Sequence, residues 1–136
     1  MDNIITAIIE QLKLCLSIKG RINRRTYLAN ILMILTIYST GNVYAFSRSY
    51  SSLVHSIGIL LCILAILWEF AVTVRRAHDF NQPLWIAFIQ TSLSILPIWF
   101  IKIAPFTWIM RLIMLIIPGN KDTNKYGEKP ESQIII

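Results

Sequence analysis

The chain has 136 residues, of which 55% are hydrophobic and only 15% charged. A soluble domain carries roughly 45–50% apolar and about 25% charged residues, so this balance falls on the membrane side. Four Trp, five Tyr and six Phe exclude a disordered chain, and two Cys with five Gly exclude a disulfide scaffold and a collagen-like repeat.

Thirteen Lys and Arg against seven Asp and Glu give a net charge of +6. Where the cations sit decides what they mean. Arg21, Arg24 and Arg25 precede the first long apolar run, Arg75 and Arg76 follow the second, and Lys121, Lys125 and Lys129 follow the last. The intervening connections hold only Arg48 and Lys102. Rich and poor stretches alternate, which is the positive-inside pattern of a multi-pass protein with both termini cytoplasmic. Nucleic acid is not an expected partner, because no water-exposed domain carries a basic face.

Residues 1–19 are broken by Asp2, Glu10, Gln11 and Lys13 and are too polar to span. At 100° per residue Ile4, Ile5, Ile8, Ile9, Leu12, Cys15, Leu16 and Ile18 share one broad face, opposite Thr6, Glu10, Lys13 and Ser17. This predicts an amphipathic helix, lying either in the bilayer interface or against protein. Gly20 ends it. A chargeless run follows from Tyr27 to Phe46, about 20 residues and about 30 Å as a helix, enough to cross the hydrocarbon core. After a polar loop at 47–52, a second span is predicted over 53–74, with His55 at its outer end and Glu69 near its inner end. Residues 75–83 read as a compact polar loop, with Asn81 placed to cap the next helix and Pro83 in its first turn. Residues 84–117 are apolar but too few for two full spans and a turn. Pro97, Lys102 and Pro105 mark a bend, so 84–101 and 103–117 are either two short spans or a re-entrant hairpin. Residues 118–136 form a polar tail. The expected fold is all-α: one membrane domain of about four segments plus an N-terminal interfacial helix.

Cys15 and Cys62 fall at different depths and are not expected to pair. Two scattered His and two Cys give no metal-ligand spacing, and no metal or other cofactor is expected. Glu69 and Arg111 lie at membrane depth, each about 9–10 Å inside its cytoplasmic boundary. Charge there costs at least about 2.5–3.5 kcal/mol, so the two are candidates for an intramembrane ion pair. The alternative is that Glu69 reaches toward Arg75, Arg76 or the Arg24–Arg25 pair while Arg111 snorkels.

Three polar motifs converge on the predicted cytoplasmic side. They are Gly20-Arg21-Ile22-Asn23-Arg24-Arg25-Thr26-Tyr27, then Arg75-Arg76-Ala77-His78-Asp79, then Pro118-Gly119 with Asn124-Lys125-Tyr126-Gly127 and Pro130. In order and between hydrophobic runs, they resemble the domain-of-unknown-function 805 family of small bacterial inner-membrane proteins. That family carries G-R-x-x-R-R-x-[YFW], R-R-x-H-D and P-G-x-x-x-x-N-[RK]-Y-G-x-x-P at these places, and the resemblance covers about residues 18–130. The chain departs from it at Phe80-Asn81-Gln82-Pro83-Leu84-Trp85 and at Asn120-Lys121-Asp122. The resemblance implies a multi-pass inner-membrane protein and no agreed biochemical activity.

Physically, Arg21, Arg24, Arg25, Arg75, Arg76, His78, Asp79, Asn124 and Tyr126 admit three uses. Asp79 and the arginines can lock the loops, with the tail folded back over them. Clustered juxtamembrane arginines can hold an anionic lipid headgroup or phosphate. A His78–Asp79 dyad could serve catalysis, but no nucleophile, paired carboxylates or phosphate loop accompanies it. The function expected is therefore non-enzymatic, structural or regulatory, exercised through partners or self-assembly. A small oligomeric channel lined by His55, Glu69, Thr73 or Arg111 is the competing class. No GxxxG is present and Gly41 and Gly58 stand isolated, so no helix-pairing face is expected from them.

Overall fold

The computed structural model describes residues 6, 9, 13, 15–95 and 104–130. Four helices occupy most of them: α1 (Arg24–Phe46), α2 (Ser52–Asp79), α3 (Trp85–Ile95) and α4 (Ala104–Ile116). Of the expected 1–19 helix, Thr6, Ile9, Lys13, Cys15 and Leu16 are helical, Ser17, Ile18 and Lys19 are not, and the other residues lie outside the described residues.

Asn23 starts α1. Its side chain accepts the Thr26 N–H at 2.8 Å, satisfying one of the donors that a helix N-terminus leaves open. The helix closes at Ser47, whose N–H reaches the Val43 carbonyl at 3.2 Å. His55 Nε2 sits 2.7 Å from the Ser47 carbonyl and holds the connection to α2. Helices α1 and α2 have 23 and 28 residues, about 35 and 42 Å at 1.5 Å per residue. Both are long and apolar enough to cross a membrane. Only 22% of the most apolar stretch of α1 and 39% of that of α2 is buried, which distinguishes them from core helices of a soluble protein. Leu32, Val43, Leu53, Leu60, Phe88 and Leu112 are each more than half exposed.

The extra length of α2 corrects one expectation. Residues 75–79 are not loop but the last turns of the helix. No Gly or Pro interrupts them, and Arg76 and His78 stand in the last turn, where cations suit the negative end of the helix dipole. Asn81 corrects another. It adopts φ 62° and ends α2 rather than capping α3. Its N–H donates to the His78 carbonyl at 3.1 Å and the Gln82 N–H to the Ala77 carbonyl at 2.9 Å. That is the Schellman closure, which needs a left-handed residue, and Asn tolerates that conformation better than most side chains.

Helices α1 and α2 run antiparallel, pairing Gly41 with Gly58 and Asn30 with Trp68. The two glycines, isolated in sequence, face each other in space. A Cβ on Gly58 would lie 2.4 Å from the Ala45 nitrogen and 2.8 Å from the Gly41 oxygen, and one on Gly41 would lie 2.8 Å from Cys62 Sγ. The backbones approach closely because neither position carries a side chain. A pairing face does exist, contrary to expectation, but within the chain.

Within the described residues α3 and α4 cover 11 and 13 residues, about 17 and 20 Å, against a hydrocarbon core of about 30 Å. Thr107 Oγ1 donates to the Leu93 carbonyl at 2.9 Å and ties one to the other. Pro105 lies in the first turn of α4 rather than in a bend. Pro97 and Lys102, the other expected bend residues, lie outside the described residues. The apolar core gathers Ile22, Tyr27, Ile31, Ile34, Val72 and Met114 where α1, α2 and α4 meet.

Candidate functional site

Where α1 starts and α2 and α4 finish, the chain ties a knot around one carboxylate. Asp79, 3% exposed, closes α2. Arg21, just before α1, donates to Asp79 Oδ1 from Nε at 3.2 Å and from Nη2 at 3.0 Å. Arg76, one turn back on α2 and fully buried, donates through Nη1 to Asp79 Oδ2. One buried anion thus answers two buried cations, which demands further acceptors.

Backbone carbonyls supply them. Arg21 also donates to the carbonyls of Asn120 at 2.7 Å, Asp122 at 2.8 Å and Gly127 at 3.1 Å. Arg76 Nε donates to the Met114 carbonyl at 2.8 Å and Nη2 to that of Ile117 at 2.5 Å. Met114 stands in the last turn of α4, where carbonyls have no partner within the helix. Arg21 therefore grips the tail and Arg76 grips the end of α4. The guanidinium's planar fork of five donors suits this role, which a lysine could not fill.

The tail fits against α2 because of two small details. A Cβ on Gly119 would fall 1.9 Å from Asp79 Oδ2, so only glycine lets the chain pass. The Asn120 N–H donates to the Asp79 carbonyl at 2.7 Å. Farther on, Asn124 donates to the His78 carbonyl at 2.8 Å. Asn124 and Gly127 exchange two backbone hydrogen bonds at 3.1 and 3.0 Å. The Tyr126 ring stacks on the His78 ring, centroids 3.7 Å apart and planes 7° from parallel. His78 Nδ1 lies 3.2 Å from the Gly20 carbonyl. Burial pushes the His78 imidazole below its ordinary value; the Gly20 carbonyl pulls it up and Lys125 pushes it down.

Of the motif residues, the structure brings together Arg21, Arg76, His78, Asp79, Asn124 and Tyr126. It leaves Arg24 and Arg25 exposed in the first turn of α1. Arg75 stays outside the knot, its Nε buried and, among the described residues, without a hydrogen-bond partner, and burial lowers its pKa. Beside the knot opens a polar cleft of about 270 Å³. Its floor is Asp79 and Gly119, and Arg24, Lys121 and Lys129 rim it. The two lysines carry no motif signal beyond being basic tail residues.

A second polar cluster lies inside the helical layer. Arg111 donates to Glu69 Oε1 from Nη2 at 2.7 Å and from Nε at 3.1 Å. Ser94 Oγ donates to the same oxygen at 2.9 Å. The guanidinium also sits over the Trp108 ring at 5.3 Å. Next to it, fully buried Gln90 donates to Tyr27 at 3.1 Å and to Thr73 at 3.3 Å. Sequence reasoning named the charged pair but missed Gln90 and Ser94, whose only signal is a polar residue inside an apolar run. Cys15 and Cys62 are free thiols, and among the described residues no group of His, Cys, Asp and Glu could hold a metal ion.

No curated protein and no solved structure matches the chain. One family model, described as "Protein of unknown function (DUF805)", matches residues 15–128, the stretch that contains every residue of the knot. With that match over most of its length, the chain belongs to the DUF805 family.

Proposed function

We propose that the chain is a multi-pass inner-membrane protein with both termini cytoplasmic, acting without catalysis as a structural or regulatory component through partners or self-assembly. The observation that carries this reading is the contrast between wrapping and knot. Large apolar side chains face outward along α1, α2, α3 and α4, where only a lipid solvent leaves them without cost. The polar groups concentrate at the arginine-rich end, the cytoplasmic end by the positive-inside rule. In this reading α1 and α2 span, and α3 with α4 form a short pair that enters the same leaflet.

The knot supports a scaffold rather than a reaction centre. Asp79 is taken by two guanidiniums, and His78 by a stacked ring and a carbonyl. The Glu69–Arg111 pair closes on itself inside the monomer, which favours structural glue over a conducting path. Alkaline carbonate extraction tests the reading: the protein should stay in the membrane pellet, and release into the supernatant would overturn it.

A further inference from the structure

The cleft beside the knot is cationic and is not needed by the knot. Asp79 already faces Arg21 and Arg76. Among the described residues Arg24, Lys121 and Lys129 have no ion-pair partner, and all three are exposed on the rim. Arg24, Lys121 and Lys129 stand around a floor that includes the Asp79 carboxylate, but Arg21 and Arg76 already answer that charge, so the surplus of cations in the cleft suits a compact tetrahedral anion. The cleft volume of about 270 Å³ suits a phosphodiester with its first substituents.

What lies below the cleft selects the source of that phosphate. An apolar groove of about 90 Å³ runs between α1 and α4, walled by Tyr27, Leu28, Ile31, Leu112 and Leu115. Leu28 is one helical turn from Arg24, and Leu115 is one turn from Pro118 on the cleft wall. The groove along α1 and α4 therefore leads to the cleft, which opens where α1 starts and the tail leaves α4. A free anion has no use for the groove; a lipid uses both.

We propose that Arg24, Lys121 and Lys129 bind the phosphate of an anionic glycerophospholipid from the cytoplasmic leaflet, with an acyl chain along the α1–α4 groove. This rests on the membrane reading above. The two fail differently: a protein that leaves the bilayer in carbonate fails that reading, whereas an embedded protein without lipid preference fails only this one.

The test reconstitutes the full chain in nanodiscs holding equal phosphatidylglycerol and phosphatidylcholine, then identifies retained lipid by native mass spectrometry. Wild type should retain phosphatidylglycerol. At about fivefold per cation removed, Lys121→Gln should weaken the preference about fivefold, and Arg24→Gln/Lys121→Gln/Lys129→Gln should weaken it roughly 100-fold. Arg48→Gln, in the opposite loop, should change nothing. Equal retention of both lipids by wild type, or an undiminished preference in the single and triple variants, would overturn the proposal. So would displacement of the lipid by millimolar inorganic phosphate, which would assign the cleft to a free anion instead.

Discussion

Helix α2 carries two buried carboxylates, and each meets arginine in a different way. Asp79 is shared by two guanidiniums whose other donors reach carbonyls of Ile22, Met114, Ile117, Asn120, Asp122 and Gly127. Glu69 meets one guanidinium and one serine hydroxyl, both on neighbouring helices. The first assembly joins chain segments far apart in sequence and fixes the tail. The second joins helices already held by packing. Loss of the Asp79 charge therefore removes tertiary structure, whereas loss of the Glu69 charge perturbs a preformed bundle.

The largest expected effect follows at Asp79. Asp79→Asn leaves two buried cations with no anion, and removing one member of such a network costs about 3–5 kcal/mol. Thermal unfolding in detergent should fall sharply, and protease should cut the tail after Ile117. Gly119→Ala should mimic it, because the new methyl collides with the Asp79 carboxylate. An uncut tail in either variant would break the comparison.

At the other carboxylate a smaller cost is expected, about 2.5 kcal/mol for an unpaired charge at depth. Arg111→Met, which strands Glu69 at 4% exposure, should cost more than Glu69→Gln, because Arg111 keeps Trp108 beneath it. The exchange Glu69→Arg/Arg111→Glu should recover part of the loss, read as melting temperature against each single change. No recovery would mean that the pair contributes nothing beyond its parts. Gly58→Ala should cost about 1–3 kcal/mol by overpacking α1 against α2, without loosening the tail.

The smallest effect is on pH. Burial holds the His78 imidazole below its ordinary value, so the folded protein favours the neutral ring. The contribution is full above the ordinary histidine value and fades as pH falls through the lowered one. Melting at about pH 5 should lie below melting at about pH 7.5, and His78→Phe should flatten part of that difference. An unchanged difference would remove His78 from the account.

Much of this was legible in sequence where a residue's type dictates its surroundings. Charge at membrane depth asks for a partner, which made Glu69 and Arg111 a pair to look for. The convergence of Arg21, Arg76 and Asp79 followed from three motifs on one predicted side. What escaped depended on geometry between elements. Asn81 suits both a helix start and a left-handed helix end, and only the length of α2 decides. Gly41 and Gly58 become a pair only once α1 and α2 lie antiparallel. Lys121 and Lys129 become a rim only after the tail folds back. The motif arginines looked equivalent, yet Arg21 and Arg76 face inward while Arg24 stands exposed at the cleft.

The central claim is that both ends of the knot lie on the cytoplasmic side of a membrane that α1 and α2 cross. Impermeant thiol labelling tests it most directly, using single cysteines at Ser49→Cys, Gln82→Cys and Glu128→Cys in a background without Cys15 and Cys62. Ser49→Cys should react in intact cells, and Gln82→Cys and Glu128→Cys only in inverted vesicles. Labelling of Glu128→Cys from outside intact cells would contradict the account.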